Sequence, residues 1–423
     1  MDEMAMRRAI ELKRDGAELS PEDWSGIVAA FMDDRIDEAQ MAALCMACVW
    51  RGMSLEEAHA LTQAMVASGD VLHFDGDVVV DKHSSGGVSD IVSLVAVPLA
   101  AACGAHVAKL SGRALGHTGG TIDKLESIPG FNANLSTDAF IAQVRRIGCA
   151  IAAQTSALVP ADKRMYALRD RTATVPSMGL IAASIVSKKI AGGAHAFVFD
   201  VKTGRAAFMQ KPEAAAELAR RLVEISTRFG RRATAFVTDM NEPLGHSIGT
   251  GLEIVEARNF LSRNAADSVT LSLSKGRVYN LVLPIVAAML AAAGIDDGES
   301  RARSALASGA AYEKFVEMIE AQGATRATLE SMEPLPNPQV VRAQQSGYLH
   351  GIDVIRLGNL GRELAARNSL AGLRVAVRIG DRIEKNAALA YVHTPDSVTL
   401  DLAGAFELSN QHPPSRPLIY PSP

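Results

Sequence analysis

Apolar positions in residues 1–66 recur at helical rather than strand spacing. Met41, Leu44, Cys45 and Cys48 lie three and four residues apart, on one face of a helix. Helix-start signals stand on either side. Ser20-Pro21-Glu22-Asp23 supplies an N-cap, a proline at the first helical position and an acid at the third, and Ser54-Leu55-Glu56-Glu57 reads as a capping box. The spacing predicts an all-helical N-terminal unit.

The period changes near residue 77. Residues 78–80 form a short β-branched run that ends at Asp81-Lys82. A glycine-rich turn follows, then an apolar helix over about 90–103, stopped by Gly104. Residues 107–110 predict a second strand with a second glycine-rich loop after it. Further strands are expected at 149–153, 196–201 and 233–239, with helices such as 212–229 between them. Strand and helix in alternation imply a parallel sheet covered by helices. Residues 155–192 interrupt the alternation with helical sequence that can pack back on the N-terminal helices. From about Glu333 the texture changes again. Pro334, Pro336 and Pro338 form a linker-like stretch, and short strands follow at 373–379 and 387–393, the second introduced by the turn Gly380-Asp381-Arg382. The expected fold is α/β. A discontinuous helical domain takes 1–66 and 155–192, a mixed parallel-sheet α/β phosphate-binding domain takes 72–154 and 193–332, and a small C-terminal α+β domain takes 333–423.

Composition narrows the function. The chain has 423 residues, too many for one ordinary core. Hydrophobic residues at 48% and charged residues at 21% are those of a globular protein. A net charge of −4 argues against a broad nucleic-acid-binding face, so clustered basic residues should serve a small anion. The apolar runs 91–103 and 281–294 are broken by Pro98 and Pro284 and fall short of the ~20 residues of a membrane helix. The opening MDEMAMRRAIELKRDG is an amphipathic charged segment rather than a secretory leader. A cytoplasmic protein without a membrane partner is therefore expected. Cys45 and Cys48 form a C-x-x-C inside an apolar helix, with no second pair for zinc and no preceding strand; with Cys103 and Cys149 they read as free thiols of a reducing compartment.

Chemistry concentrates in three places. In Asp81-Lys82-His83-Ser84-Ser85-Gly86-Gly87-Val88-Ser89-Asp90, with Ser93 a turn further on, a strand delivers a lysine and glycines open the backbone at a helix N-terminus. Free N–H groups and the helix dipole favour an anion there, and the serines and lysine add donors. The lysine precedes the glycines, so this is not a Walker A loop. In Lys109 to Glu126 a strand again runs into a polar glycine-rich loop and a helix, where Ser111 and Thr121 can complete an oxyanion cage with Lys82. Two such loops at the carboxyl ends of parallel strands suit the ligand crevice of an open α/β sheet. The third place is Arg169, Ser184 and Lys188. The last two are i, i+4 on one helix face, and spacing alone reads them as a solvated face.

The stretch SGRALGHTGGTIDKLE resembles the signature of the thymidine and pyrimidine-nucleoside phosphorylases. DKHSSGGVSD, LVPADKRMYALRD, ASIVSKK and TDMNEPLG resemble the same family in the same order. The resemblance covers about residues 1–300 well and the C-terminal unit loosely. It implies a helical and an α/β domain flanking a cleft, a homodimer, and phosphate-dependent cleavage of pyrimidine nucleosides. It also implies no cofactor for the chemistry, with inorganic phosphate as co-substrate. Carried over, phosphate falls to Lys82, His83, Ser84, Ser93, Lys109, Ser111 and Thr121. The base falls to Arg169, Ser184 and Lys188, packed by Tyr166, Leu115 and Phe208. His83, Arg169 and Lys188 take the catalytic roles, with His83 a proton donor or a positioning group. Lys109 resembles the pyrimidine-nucleoside branch, which accepts uridine as well as thymidine; strict thymidine enzymes tend to be apolar there. That branch binds potassium largely through backbone carbonyls, at positions matching Ser89, Ile91, Leu244, Ser247 and Glu256. The chain departs from the family at Arg205 and Ala206, which replace a small residue and a glycine, and at Leu357-Gly358-Asn359-Leu360-Gly361-Arg362, where a glycine-rich loop is expected. Arg205 is placed to occlude the cleft or touch an anionic substrate, and Ala206 is costly if that glycine needs a positive φ. Two alternatives remain: a phosphoribosyltransferase of shared architecture, which needs magnesium, and a nucleoside-binding protein without turnover.

Overall fold

The computed structural model describes residues 2–76, 78–113, 119–262, 269–395 and 400–421. The chain opens with helices α1 (Glu3–Arg14), α2 (Pro21–Met32), α3 (Glu38–Arg51) and α4 (Leu55–Ala67). Their starts are those the sequence marks: Ser20 with Asp23 and Ser54 with Glu57 form complete capping boxes, and Asp37 with Gln40 adds a third. Glu57 does more than cap. Its carboxylate, 1% exposed, accepts from Lys13 Nζ at 2.5 Å and from the Leu19 amide at 3.0 Å, pinning α1 and the following turn to α4.

The α/β part follows as β1 (Val79–Ser84), α5 (Val92–Ala102), β2 (His106–Ser111), α6 (Thr121–Leu125), α7 (Thr137–Ile147) and β3 (Cys149–Ala153). Helices α8 (Pro160–Arg171) and α9 (Met178–Ala191) then pack back on α3 and α4. The chain returns to the sheet with β4 (Ala196–Thr203), α10 (Pro212–Arg228) and β5 (Arg232–Asp239). The strands stand in the order β5-β4-β1-β2-β3, all parallel, with the short strand Ile419–Tyr420 antiparallel on β5. The order runs away from β1 in both directions, so the boundary between β1 and β4 is the switch point of an open sheet.

Strand alternation divides the interior. Val80, Val107, Cys149, Ile151, Ala196 and Val198 face one core, shared with α5 and the later helices. Val79, Ala108, Ala150, Phe197 and Phe199 face the other, shared with the N-terminal helices, α8, α9 and α10. The C-terminal residues do not keep a core apart. Val341, Leu349, Leu373 and Val392 join the first cluster, and Ser247–Ile248 leaves the α/β part to pair with the strand Gly372–Val375. No helix among the described residues is long and apolar enough to cross a membrane. All four cysteines are free; burial pushes the Cys45 thiol up to about 11 and the Cys48 thiol to about 12, the state of inert core thiols.

Candidate active site

β1 runs further than residues 78–80, so Lys82, His83 and Ser84 are strand residues at its carboxyl end. Alternation then sends Lys82 and Ser84 toward α5 and Asp81 and His83 toward the helical side. Lys82 is fully buried. Its Nζ lies 3.2 Å from Asp200 Oδ2 and donates to Ser93 Oγ at 3.5 Å. Asp200, on the neighbouring β4, also accepts from Lys202 Nζ at 2.7 Å and from Thr238 Oγ1 at 2.6 Å. Lys202 reaches on to Asp90 Oδ2 at 3.8 Å, and the same carboxylate accepts from Ser84 Oγ at 2.6 Å. Burial opposes the Asp90 charge, but Lys202, Lys82 and Lys124 prevail and hold the carboxyl well below the usual range. The turn between is fastened to β4: the Ser85 amide donates to the Asp200 carbonyl at 3.0 Å and the Lys202 amide to Ser85 Oγ at 2.8 Å.

On the other face, Lys189 of α9 donates to Asp81 Oδ2 at 2.6 Å and to the Leu110 carbonyl at 3.0 Å. Lys109 of β2, in phase with Val107 and so on the Lys82 side of the sheet, donates to the Lys82 carbonyl at 2.7 Å. His83 packs edge-on against Phe199, with ring centroids 6.3 Å apart. Burial, then Lys189, Lys109, Lys82 and Lys188, lower its proton affinity well below the ordinary histidine value, so its imidazole is neutral at neutral pH.

Across the cleft, Arg169 is 1% exposed. It donates to the carbonyls of Thr174 at 3.3 Å, Val175 at 2.8 Å and Leu180 at 3.3 Å. Three bonds spent on the 174–180 segment leave two of its N–H groups for a ligand. Lys188 donates to Ser184 Oγ at 2.9 Å and pairs with Asp162. The Tyr166 ring lies 5.8 Å from the Arg169 guanidinium carbon and 5.6 Å from Lys188 Nζ; its buried hydroxyl has no partner among the described residues. Ser184 is buried and Lys188 half-buried, so this is not the solvated face that spacing alone implies.

Both sides contribute to one cavity of about 480 Å³. Its walls include His83, Ser84, Ser93, Lys109, Ser111 and Thr121 from the sheet side, and Tyr166, Arg169, Ser184, Lys188 and Phe208 from the other. Lys82 sits beneath the floor rather than in it. Leu115 lies outside the described residues. The sequence pattern does not reveal the counter-charges Asp81, Asp162 and Asp200, nor Lys189 and Lys202, which stand inside the family-like segments with no spacing signal of their own. The available signal was composition, since a buried lysine needs a carboxylate.

The departures resolve away from the cleft. Arg205 turns to the C-terminal unit, with Nη1 2.8 Å from Glu407 Oε1, so it neither blocks the cavity nor lines it. Ala206 is buried and its φ is not positive, so it carries no left-handed strain; Gly204 holds the positive φ of that turn, at 121°. Residues 357–362 lie inside the helix Val354–Arg367, and are not a loop.

Of the five positions matched to a potassium site, Ser89, Leu244, Ser247 and Glu256 lie on neighbouring segments. The Gly245 amide donates to the Ser89 carbonyl at 3.1 Å, and the Ser247 amide to Glu256 Oε2 at 2.6 Å. Ser89 holds a left-handed φ of 57°, and its buried hydroxyl has no partner among the described residues. A Cβ on Gly245 would meet Ser89 Oγ and Glu256 Oε1 at 2.7 Å each, so the two oxygens face a common cradle. An orphaned hydroxyl beside a buried carboxylate and carbonyls suits a monovalent cation. Arg378 Nη2 also donates to the Leu244 carbonyl, at 3.3 Å.

A helical bundle set across a cleft from a parallel sheet with a lysine- and serine-rich floor defines a transferase that handles an anionic group. Two family descriptions match accordingly: glycosyl transferase family, helical bundle domain, over residues 7–69, and glycosyl transferase family, a/b domain, over residues 76–312. A thymidine phosphorylase of Sinorhizobium medicae is 42% identical, with 98% of each chain covered. A pyrimidine-nucleoside phosphorylase of Geobacillus stearothermophilus is 40% identical, with 92% of each covered. The chain belongs to the thymidine/pyrimidine-nucleoside phosphorylase family, a family of pentosyltransferase enzymes. The crystal structure of anthranilate phosphoribosyltransferase from Thermus thermophilus superposes with a TM-score of 0.58 at 20% identity, covering 76% of this chain and 99% of that one, a likeness of fold.

Proposed function

We propose that this enzyme cleaves uridine, thymidine and deoxyuridine with inorganic phosphate, releasing the base and an α-pentose 1-phosphate. The observation that carries the reading is the two-sided cavity: an oxyanion floor on β1, β2 and α6, and an Arg169, Ser184 and Lys188 wall facing it. Phosphate lies over Ser84, Ser93, Ser111 and Thr121, with Lys82 supplying charge from below. The base lies against Tyr166, held by Arg169, Ser184 and Lys188. As phosphate attacks C1′ the sugar gains positive and the base negative character, and the two cations of the wall stabilise the departing base. Holding both reactants in line supplies a further share of the acceleration. Neutral His83 serves as a one-proton hydrogen-bond donor that positions the base, since an imidazolium is disfavoured among the lysines. Lys109 supports acceptance of ribose, because an amine in the floor can donate to a 2′-hydroxyl.

Potassium held by Ser89, Ile91, Leu244, Ser247 and Glu256 would brace the turn that presents Ser84. A homodimer is supported by Trp50, 82% exposed, with Met46 one turn away on α3 and Met4 and Leu12 exposed on the α1 that packs against it. The phosphoribosyltransferase alternative needs carboxylates for magnesium beside the phosphate loop; Asp81, Asp90 and Asp200 are each engaged by lysines instead. The test is base release from uridine and thymidine with and without phosphate and magnesium, in wild type and Lys82→Ala. Phosphate-dependent, magnesium-independent release, lost in the variant, supports the reading; release that requires magnesium, or no release, contradicts it.

A further inference from the structure

Lys82, Lys109, Lys189 and Lys202 are buried at or beneath the floor of the cleft, none more than 3% exposed. Three have a carboxylate. Lys82 and Lys202 share Asp200 at 3.2 and 2.7 Å, and Lys189 holds Asp81 at 2.6 Å. Lys109 differs. Among the described residues its ammonium makes no ion pair, and its hydrogen-bond partner is the Lys82 carbonyl. The carboxylates around it each hold another lysine, and Asp81 Oδ1 is left without a hydrogen-bond partner among the described residues. β1 presents Asp81, bound to Lys189, together with Lys82 and His83. The turn before α5 presents Asp90, bound to Ser84 and facing Lys202. α9 presents Lys188 and Lys189. β3, paired to β2 with Ile151 opposite Lys109, presents no charge. A buried ammonium beside Lys82 and Lys189, with no ion pair of its own among the described residues, sheds its proton readily. Burial first, then Lys189 and Lys82 against Asp81 and Asp90, lower the Lys109 ammonium to about 7.

Lys109 also lines the cavity on the phosphate side, so an arriving oxyanion meets it directly. We propose that Lys109, buried in the wall of the cavity without an ion pair among the described residues, gives up its proton readily in the ligand-free protein and takes one up from solvent as a doubly charged oxyanion binds. The floor then gains a positive charge only when a dianion is present to balance it. This makes Lys109 a determinant of ligand charge, selecting phosphate and a sugar phosphate over neutral or singly charged groups. The inference rests on the reading of this floor as the phosphate site. The balance is simple: one solvent proton joins the Lys109 amine, and no bond to phosphate is made or broken.

The sign is fixed by linkage. Because the complex holds more protons than the free protein, affinity falls as pH rises above the ligand-free value, approaching tenfold per pH unit. The experiment is titration calorimetry of the full-length protein with inorganic phosphate at about pH 8, where phosphate is a dianion, in buffers of differing ionisation enthalpy. The expected result is uptake of more than half a proton in wild type and in His83→Gln, and none in Lys109→Met or in Lys109→Arg, whose charge is permanent. Binding without uptake in wild type, or uptake that persists in Lys109→Met, overturns the inference and leaves the phosphate site standing. No binding at all overturns both. Should the Lys109 variants fail to fold, the wild-type affinity decides: a five- to tenfold loss per pH unit above about pH 8 supports the proposal, and a flat profile refutes it.

Discussion

Asp200→Asn removes one negative charge from beneath the phosphate floor and almost no volume. The Asp200 carboxylate lies 3.2 Å from Lys82 Nζ, with both side chains fully buried. At an effective dielectric of about 20, a pair at that separation attracts by roughly 5 kcal/mol before desolvation is counted. The variant can instead let one ammonium lose its proton, which for an ordinary lysine at about pH 7.5 costs roughly 4 kcal/mol. Both figures agree with the roughly 3–5 kcal/mol lost when one partner of a buried pair is removed. Thr238 can still donate to the asparagine oxygen, so the loss belongs to the charge. Thermal unfolding should fall by about 6 °C or more. If the proton is lost from Lys82, the positive charge beneath the phosphate goes with it; at about 1.5–3 kcal/mol for an interaction with a charged group, kcat/KM for phosphate should drop roughly 10- to 150-fold. An absorbance assay with phosphate varied at saturating nucleoside, then nucleoside varied at saturating phosphate, separates the effect. The phosphate KM should rise and the nucleoside KM should hold. A variant with wild-type melting temperature and wild-type phosphate KM would refute the reasoning.

Other outcomes follow from the same geometry. Arg169→Lys keeps the charge but cannot serve three carbonyls, so it should lower stability by about 2 kcal/mol and kcat/KM for nucleoside by roughly 100-fold, read by melting and kinetics. His83 stays neutral in the folded chain, whereas the unfolded chain takes up a proton below about pH 6.5; its contribution to stability is therefore lost as pH falls through that value, and His83→Gln should melt with a shallower decline between about pH 7 and pH 5. Gly245→Ala places a methyl between Ser89 and Glu256, and should abolish any stabilisation by potassium chloride over choline chloride in a thermal shift. Trp50→Glu should shift the sedimentation coefficient toward a single copy without changing the helical content; an unchanged dimer would remove α3 from the interface.

Much of the fold was legible because its signals are local. Capping boxes at Ser20 and Ser54 and the β-branched run at 78–80 depend on residues a few positions apart. What stayed hidden is long-range. The strand 247–248 pairs with residues 372–375, and Ile419–Tyr420 crosses back to β5, pairings that no periodicity reports. Within the candidate site, spacing alone located the anion loops through their glycines. It could not place Arg169, whose donors serve a segment beyond its own helix, nor the Lys82–Asp200 pair, whose partners are 118 residues apart and meet only because β1 and β4 are neighbours. The same holds for Arg205: its sequence neighbours point to the cleft, and its contact is Glu407.

The most direct test of the account is phosphorus NMR of the purified enzyme with thymidine and inorganic phosphate. The account predicts loss of the phosphate signal matched by growth of a pentose 1-phosphate signal and by equimolar thymine, with neither change in Lys82→Ala. Thymine release without a sugar phosphate, or a phosphate signal that stays constant with every pyrimidine nucleoside supplied, would contradict it.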